Sequence, residues 1–448
     1  MTSSPPELAR KLGLFDATML VIGGIVGAGI FMNPSVVAKE VHSAGMILAV
    51  WAFGGLIALS GGFVYAELAA QRPAVGGQYA YLREAFHPAV AFLYGWALLL
   101  VIQTGGMAAV AMTFAHYFVE LVRVPLPEGV VAVVTLALLT LVNCLGVKAG
   151  SNVQSTLTVL KMGAIAFLVI AGFAGLNRSP IEWEPLFDRQ GIFANLGALG
   201  AGLIPVVFAY GGWQTACFMA GELREPEKNL PRGLILGVLA VATLYISVNL
   251  VCLYALGPEK LALTKAPATE VMRMAMGDRG ASLIALGITI STLGFLSQGM
   301  LTAPRVYFAM ATDGLFFKRI AELNPRTQVP VFAVALQGAL ACVIALSGSY
   351  EKILNYVVSV DFIFYGLTAA SVFVFRSRDA ARDRFAQFKV PGHPFTTGFF
   401  MISCWVVVLT TLWKHPGDSV IGLVILAAGL PVYAYWNRKR NEESEETP

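Results

Sequence analysis

Long apolar stretches follow one another along almost the whole chain, separated by short polar segments. A helix needs roughly 20 apolar residues to cross the hydrocarbon core of a bilayer. Twelve stretches approach or exceed this length: 15–38, 44–69, 89–120, 129–146, 153–176, 193–218, 233–256, 281–311, 330–347, 353–375, 396–413 and 418–436. Because 57% of the residues are hydrophobic and only 13% are charged, a soluble globular fold is excluded. The sequence predicts an all-α polytopic membrane protein with twelve transmembrane helices in a lipid bilayer.

The charges of the loops predict how the chain is oriented. With the termini and every second loop on one side, that side holds 20 of the 31 lysines and arginines, and the other loops hold 10. By the positive-inside rule, the N-terminus (residues 1–14) and the tail (437–448) are both expected in the cytoplasm. The polar start offers no pattern of a cleaved signal peptide. A net charge of +4 gives no reason to expect a nucleic-acid partner.

The first apolar stretch is interrupted by glycine. Residues 20–34 contain Gly23, Gly24, Gly27 and Gly29 and end at Pro34. Glycine is a weak helix former, so an unwound backbone at membrane depth is one interpretation, with free N–H groups at Gly27–Gly29 that could bind a carboxylate. The other is a glycine-rich face that packs closely against a neighbouring helix. This stretch alone does not decide between them.

The sixth stretch has a second interruption, at Pro205 and Gly211-Gly212 within residues 202–214. Stretches one and six each begin a set of five. Glycine-interrupted segments at corresponding positions of two halves are typical of the substrate site of a transporter with inverted repeats. We therefore expect a first five-helix repeat over 15–176, a second and inverted repeat over 193–375, and two further helices over 396–436. The pairing of the two stretches favours the unwound interpretation of the first.

A few polar side chains interrupt the apolar stretches. Lys161 lies nine residues beyond Asn152, which is roughly 13–14 Å of helix, and Asp361 lies near the middle of the tenth stretch. Ionisable residues at such depth are functional candidates. Lys161 could instead extend to the membrane surface, and Asp361 could face Lys161, a substrate amine or only neighbouring backbone. The eighth stretch contributes Ser291 and Thr292.

Cysteine and histidine patterns point to no cofactor, metal site or catalytic centre. The five cysteines lie inside or at the ends of apolar stretches, and the five histidines are scattered over loops and the ends of stretches. No nucleophile–base set or metal-ligand spacing is present. An intramembrane enzyme is therefore only a remote alternative.

Several motifs resemble the amino acid–polyamine–organocation superfamily and, within it, the L-type amino acid transporter family. The similar segments are Gly27–Phe31, Pro73–Tyr81, Phe208–Trp213 with Asn229–Arg232, Arg305–Gly314 and Asp361–Gly366. The resemblance implies a LeuT-type fold with a five-plus-five inverted repeat, in which helices 1 and 6 are broken at the substrate site.

The resemblance also implies roles for single residues. The substrate carboxylate would meet N–H groups of Val26 to Ile30, mainly those of Gly27, Ala28 and Gly29. The ammonium would meet carbonyl groups of Ile25, Phe208, Ala209 and Gly211. Phe208 would be an aromatic gate, and Gln214 and Asp361 would line the side-chain end. Lys161, with Ser291 and Thr292 nearby, would occupy the coupling site that binds sodium in ion-coupled relatives.

The sequence departs from the family pattern at two places. Residues 121–128 contain no cysteine, so no disulfide-linked heavy subunit is expected and the protein should be a monomer. Ala28 stands where many relatives have serine, which bears on substrate preference. The resulting hypothesis is a bacterial, sodium-independent amino acid exchanger of the cell membrane, for small to mid-sized neutral L-amino acids and working by alternating access. A proton-coupled symporter in which Lys161 loses its proton in each cycle is the alternative.

Overall fold

The structure is a computed structural model that describes residues 10, 12–145, 147–176, 192–346, 350–380 and 388–445. The helices are α1 (Leu14–Ile25), α2 (Gly29–Val41), α3 (Ala44–Gln71), α4 (Gln78–Ala85), α5 (Pro88–Ala97), α6 (Gln103–Val122), α7 (Glu128–Cys144), α8 (Val147–Gly175), α9 (Ile192–Tyr210), α10 (Pro226–Leu263), α11 (Pro267–Thr302), α12 (Pro304–Thr312), α13 (Val331–Ala345), α14 (Tyr350–Ala380), α15 (Phe395–Lys414) and α16 (Pro416–Glu445). A π-helical turn, Leu98–Ile102, joins α5 to α6, and short 3-10 helices span Trp213–Glu222 and Lys318–Ala321. The prediction of an all-α polytopic protein is confirmed.

Most of these helices have the length and composition of membrane spans. In the described ranges, nine are long and apolar enough to cross a bilayer, and the bent pair α1–α2 raises the number to ten. Two further apolar helices, α7 and α13, are shorter. The number twelve therefore stays a prediction, as do the repeat bounds, although α1 and α9 each begin a predicted repeat.

The first apolar stretch is broken at the expected place. Helix α1 ends at Ile25, α2 begins at Gly29, and the two axes differ by 41°. Val26 has an extended backbone (φ −77°, ψ 98°), which ends the α-helical hydrogen bonding. The residues between the two helices are buried inside the protein, as unwound backbone at membrane depth requires.

The second break lies at Gly211-Gly212, because α9 ends at Tyr210 and a 3-10 helix begins at Trp213. Pro205 lies inside α9 and does not end it. The amide of Asn33 on α2 donates to the carbonyl of Pro205 at 2.6 Å, which ties α2 to α9 beside the break. The prediction of a broken sixth span is correct, but only its glycines form the break.

The two breaks touch each other through backbone atoms. Gly212 has φ +105°, and a Cβ added to it would lie 2.1 Å from the carbonyl oxygen of Gly24. A Cβ added to Gly24 would lie 2.4 Å from the carbonyl oxygen of Gly212. Only glycine fits both positions, so the contact that brings α1 against the second break depends on the absence of side chains.

The end of the molecule where the chain begins is closed by polar contacts. The N–H of Leu12 donates to the carbonyl of Glu222 at 3.0 Å, and the N–H of Arg224 donates to the carbonyl of Leu12 at 2.8 Å. The carboxylate of Glu222 accepts from the guanidinium of Arg305 at 3.0 Å, and both side chains are buried. Glu67 on α3 pairs with Arg376 on α14 at 2.6 Å. These contacts link α1, α3, α11–α12 and α14 at one end.

Replacing Gly212 by alanine tests the contact between the breaks. The new Cβ would strain a left-handed backbone and clash with Gly24, so Gly212→Ala should lower the free energy of unfolding by roughly 1–3 kcal/mol or more. The measurement is the midpoint of thermal unfolding of the protein purified in detergent. Gly163→Ala is the control, because a Cβ at Gly163 meets nothing within 4 Å. Equal midpoints for the two variants would contradict the prediction.

Candidate functional site

A cavity lies where the two breaks meet. The space within its lining, including the part open to solvent, is about 710 Å³. Nine of the eleven residues predicted to bind substrate line it: Ile25, Gly27, Ala28, Gly29, Phe208, Ala209, Gly211, Gln214 and Asp361. Val26 and Ile30 are fully buried and do not line it. The fold thus brings residues more than 300 positions apart to one site.

The α1–α2 break presents N–H groups to this cavity. Among the residues that the structure describes, no acceptor is found for the N–H groups of Gly27, Ala28, Gly29 and Ile30. They lie at the N-terminus of α2, where helix geometry leaves N–H groups without intrahelical partners. Such a terminus carries a partial positive charge and favours anions. The arrangement can therefore bind a carboxylate.

The carbonyl groups of both breaks have side-chain partners from neighbouring helices. The hydroxyl of Tyr245 on α10 lies 3.3 Å from the carbonyl oxygens of both Ile25 and Ala209. Thr215 donates to the carbonyl of Gly212 at 2.6 Å. Tyr245 was not predicted from sequence, because a tyrosine in an apolar stretch is ordinary. A carbonyl oxygen has two lone pairs, so these groups can still accept from a ligand ammonium.

Lys161 is fully buried and contacts the first break directly. Its ammonium donates to the carbonyl groups of Gly23 at 3.0 Å and Val26 at 2.6 Å. It does not extend to the membrane surface, nor does it pair with Asp361, which were two of the open possibilities. The break removes the helical N–H donors of these two carbonyl groups, and Lys161 of α8 donates to them instead.

Ser291 and Thr292 on α11 form hydrogen bonds with different parts of the structure. The hydroxyl of Ser291 lies 3.4 Å from the carbonyl oxygen of Gly27, so it also contacts the break. The hydroxyl of Thr292 donates within its own helix, to Ile288 and Thr289 at 2.9 Å each. Of the two, only Ser291 makes a polar contact with α1–α2. Their coupling role stays a prediction.

The wall formed by α6, α11 and the second break is more polar than the sequence suggested. Gln298 donates to the hydroxyl of Thr215 at 2.7 Å, and the side-chain oxygen of Gln214 accepts from the N–H of Gly212 at 3.1 Å. Gln103 on α6 also lines the cavity. No role was predicted from the sequence for Gln298 or for Gln103, although a lone glutamine in an apolar stretch is a usable signal.

Two aromatic side chains border the cavity beside the first break. Phe208, the predicted gate, is partly exposed and lines the cavity. Phe295 on α11, which was not predicted, lies so close to Gly27 that a Cβ on that glycine would be 3.0 Å from its ring. Two aromatic rings therefore form part of the cavity wall, and that of Phe295 lies next to the first break.

Comparison with known proteins agrees with this geometry. The sequence profile of the family described as amino acid permease matches residues 12–434. The serine/threonine exchanger SteT of Bacillus subtilis (strain 168) is 30% identical over 97% of this chain and 98% of its own length. The large neutral amino acids transporter small subunit 2 of Mus musculus is 29% identical over 96% of this chain and 82% of its own, and the human cystine/glutamate transporter is 27% identical over 97% and 87%.

The matching region contains both breaks, Lys161 and every residue that lines the cavity. The chain is not an enzyme but a multi-pass membrane protein that transports amino acids, and it belongs to the amino acid permease family.

Proposed function

We propose that the protein is a sodium-independent exchanger of small to mid-sized neutral L-amino acids that works by alternating access. The observation that carries this proposal is the row of N–H groups at Gly27–Ile30, for which the described residues provide no acceptor, beside a cavity between two broken helices. Each amino acid has an α-carboxylate that these groups can bind, whatever its side chain. The exchanger named among the similar proteins supports exchange as the mode of transport.

The α-ammonium of the substrate would face the carbonyl groups of Ile25, Phe208, Ala209 and Gly211. The residues around the backbone of the substrate, Ala28 and Ala209 among them, are small. They leave room for the substrate backbone but little space for a bulky group beside it. The side chain would then extend toward Gln214 and Asp361. This placement favours small and mid-sized side chains.

Lys161 gives a physical reason for sodium independence. Its ammonium already donates to Gly23 and Val26, so a cation of the protein itself lies beside the carbonyl groups of the break. A metal ion would have to displace this ammonium at a cost in electrostatic energy. Proton symport remains the alternative, because release of a proton from Lys161 would remove that cation in each cycle.

We further propose that the contacts around Leu12, Glu222 and Arg305 lie on the cytoplasmic side of the cell membrane, with both termini. The loop charges support this orientation. Opening toward the cytoplasm would then require the buried pair Glu222–Arg305 to separate. The protein would work as a monomer without a disulfide-linked heavy subunit, since residues 121–128 hold no cysteine.

Proteoliposomes test the mode of transport. Vesicles preloaded with each of the twenty unlabelled amino acids in turn should take up labelled threonine when the internal amino acid is small or mid-sized and neutral. Empty vesicles should take up little, with or without sodium, because the unloaded protein returns slowly. Uptake into empty vesicles driven by a pH gradient would overturn obligatory exchange and support proton symport.

Lys161→Ala should reduce exchange by about tenfold or more. The substitution leaves two buried carbonyl groups unpaired, and each unsatisfied group costs roughly 1–3 kcal/mol in the loaded, closed state. Initial rates of exchange in proteoliposomes measure the effect. The control is Lys260→Ala, which removes an exposed lysine at the end of α10. Equal losses in the two variants would count against a role of Lys161 in transport.

Phe208→Ala should lower the maximal rate of exchange at least as much as it weakens apparent substrate affinity. A gate acts on the closing step, whereas a simple wall residue would change affinity alone. Concentration series of labelled substrate separate the two quantities. Phe332→Ala, at an exposed phenylalanine on α13, serves as the matched control. An unchanged maximal rate in Phe208→Ala would remove the gate from the mechanism.

A further inference from the structure

Asp361 is a carboxyl group in the transport cavity with Tyr365 beside it and no cationic partner among the described residues. It lies on α14 and lines the cavity, yet only 9% of the residue is exposed. Its Oδ1 atom is buried and accepts no hydrogen bond from any described residue. No Lys, Arg or His nitrogen in the described ranges lies within 4.0 Å of its oxygens. A purely structural aspartate, held by neighbouring backbone, would not leave this atom unpaired.

The groups around Asp361 do not neutralise a negative charge. The titratable side chains that face it are Tyr65 of α3, Tyr94 of α5, Tyr365 of α14 and Cys404 of α15. None of them is a cation at neutral pH. The remaining polar groups of the cavity are neutral amides and one hydroxyl, from Gln103, Gln214, Gln298 and Thr215.

Lys161 does not compensate the charge either, because its ammonium donates to Gly23 and Val26. A lone carboxylate at membrane depth costs several kcal/mol unless a cation or a proton neutralises it. No described residue places such a cation beside Asp361, so the compensating charge must come with the ligand or as a proton. The ammonium of the substrate backbone is not sufficient, since it is present in every loaded state and faces the carbonyl groups of the breaks.

On the basis of the proposed function, we propose that Asp361 allows the cavity to accept both neutral and basic amino acids. The net charge of the loaded cavity is the same with either kind of ligand. With a neutral amino acid, the carboxyl group carries a proton. With a basic amino acid, the side-chain cation of the ligand pairs with the carboxylate, and the proton leaves to water on the side from which the ligand enters. Asp361 is thus a specificity-determining residue and a proton-binding site.

The proposal fixes what crosses the membrane in each kind of exchange. Exchange of two neutral amino acids moves one proton in each direction and none on balance. When a neutral amino acid is exchanged for a basic one, one proton crosses the membrane together with the neutral amino acid. The basic amino acid carries its side-chain cation in the opposite direction. Every exchange is therefore electroneutral, which differs from a symporter that moves a proton through Lys161 in each cycle.

Competition in proteoliposomes tests the binding of cations. Labelled threonine exchange is challenged with matched pairs of ligands that differ at the side-chain end, 2,4-diaminobutyrate against homoserine and ornithine against norvaline. At least one basic member should compete with the wild type. In Asp361→Asn, its apparent affinity should fall roughly ten- to hundredfold, because a charge-assisted bond is lost, while the neutral member changes less than about threefold. Asp278→Asn, at a fully exposed carboxylate, is the control.

A pH series tests the proton. Wild-type affinity for threonine should weaken as the pH on the binding side rises, because the carboxyl group then loses the proton that compensates it. Asp361→Asn, which cannot lose a proton there, should show a flat affinity profile over the same pH range. A profile that falls equally in both proteins would overturn the proton-binding site.

The outcomes separate this inference from the proposed function. If neither protein exchanges any amino acid, the proposed function fails. If threonine exchange is present but no basic ligand competes with threonine in the wild type, only the inference fails. The same holds if Asp361→Asn changes the affinities of both members of a ligand pair equally. If Asp361→Asn is not recovered folded from detergent, the wild-type competition and pH series still decide, because the proposal requires a competing basic ligand and a falling profile.

Discussion

The need to pair backbone groups inside a membrane governs the centre of this protein. Each broken helix frees carbonyl and N–H groups at a depth where lipid offers no partner. The carbonyl groups are paired from other helices: Lys161 reaches two of them, Tyr245 two and Ser291 one. For the N–H groups of Gly27–Ile30, the described part of the chain offers no such partner. The other helices thus provide donors for the freed carbonyl groups, and the N–H groups of the first break are left beside the cavity.

Local composition made the main features of the fold predictable. Glycine clusters in otherwise apolar stretches indicated both breaks, and a lysine far inside a stretch indicated Lys161 as a buried functional cation. The exact position of the second break was less predictable. Pro205 lacks a donor, yet it lies inside α9, where Asn33 of α2 donates to its carbonyl, and the interruption is at Gly211-Gly212, where Gly212 has a positive φ. Such long-range pairing has no signature in a single sequence.

The site was predictable in its backbone part and much less in its side chains. The positions predicted to bind through N–H and carbonyl groups lie in or next to the two breaks, which glycine clusters indicate in the sequence. Gln103 and Tyr245 come from helices that sequence reasoning treated as supporting structure. The partner of Lys161 was open between Asp361 and other groups, because helix rotation decides which side chains face each other. Helical periodicity in an almost uniformly apolar stretch does not fix that rotation.

The short backbone pairing of Leu12 has a mechanical consequence. Two hydrogen bonds join the residue before α1 to the segment that follows the second break, at Glu222 and Arg224. The segment before α1 and the segment after the second break are therefore hydrogen-bonded to each other, so we expect them to move together. A fused domain or a bound protein that displaces the segment before α1 would therefore displace the backbone at both breaks, where the proposed substrate binds.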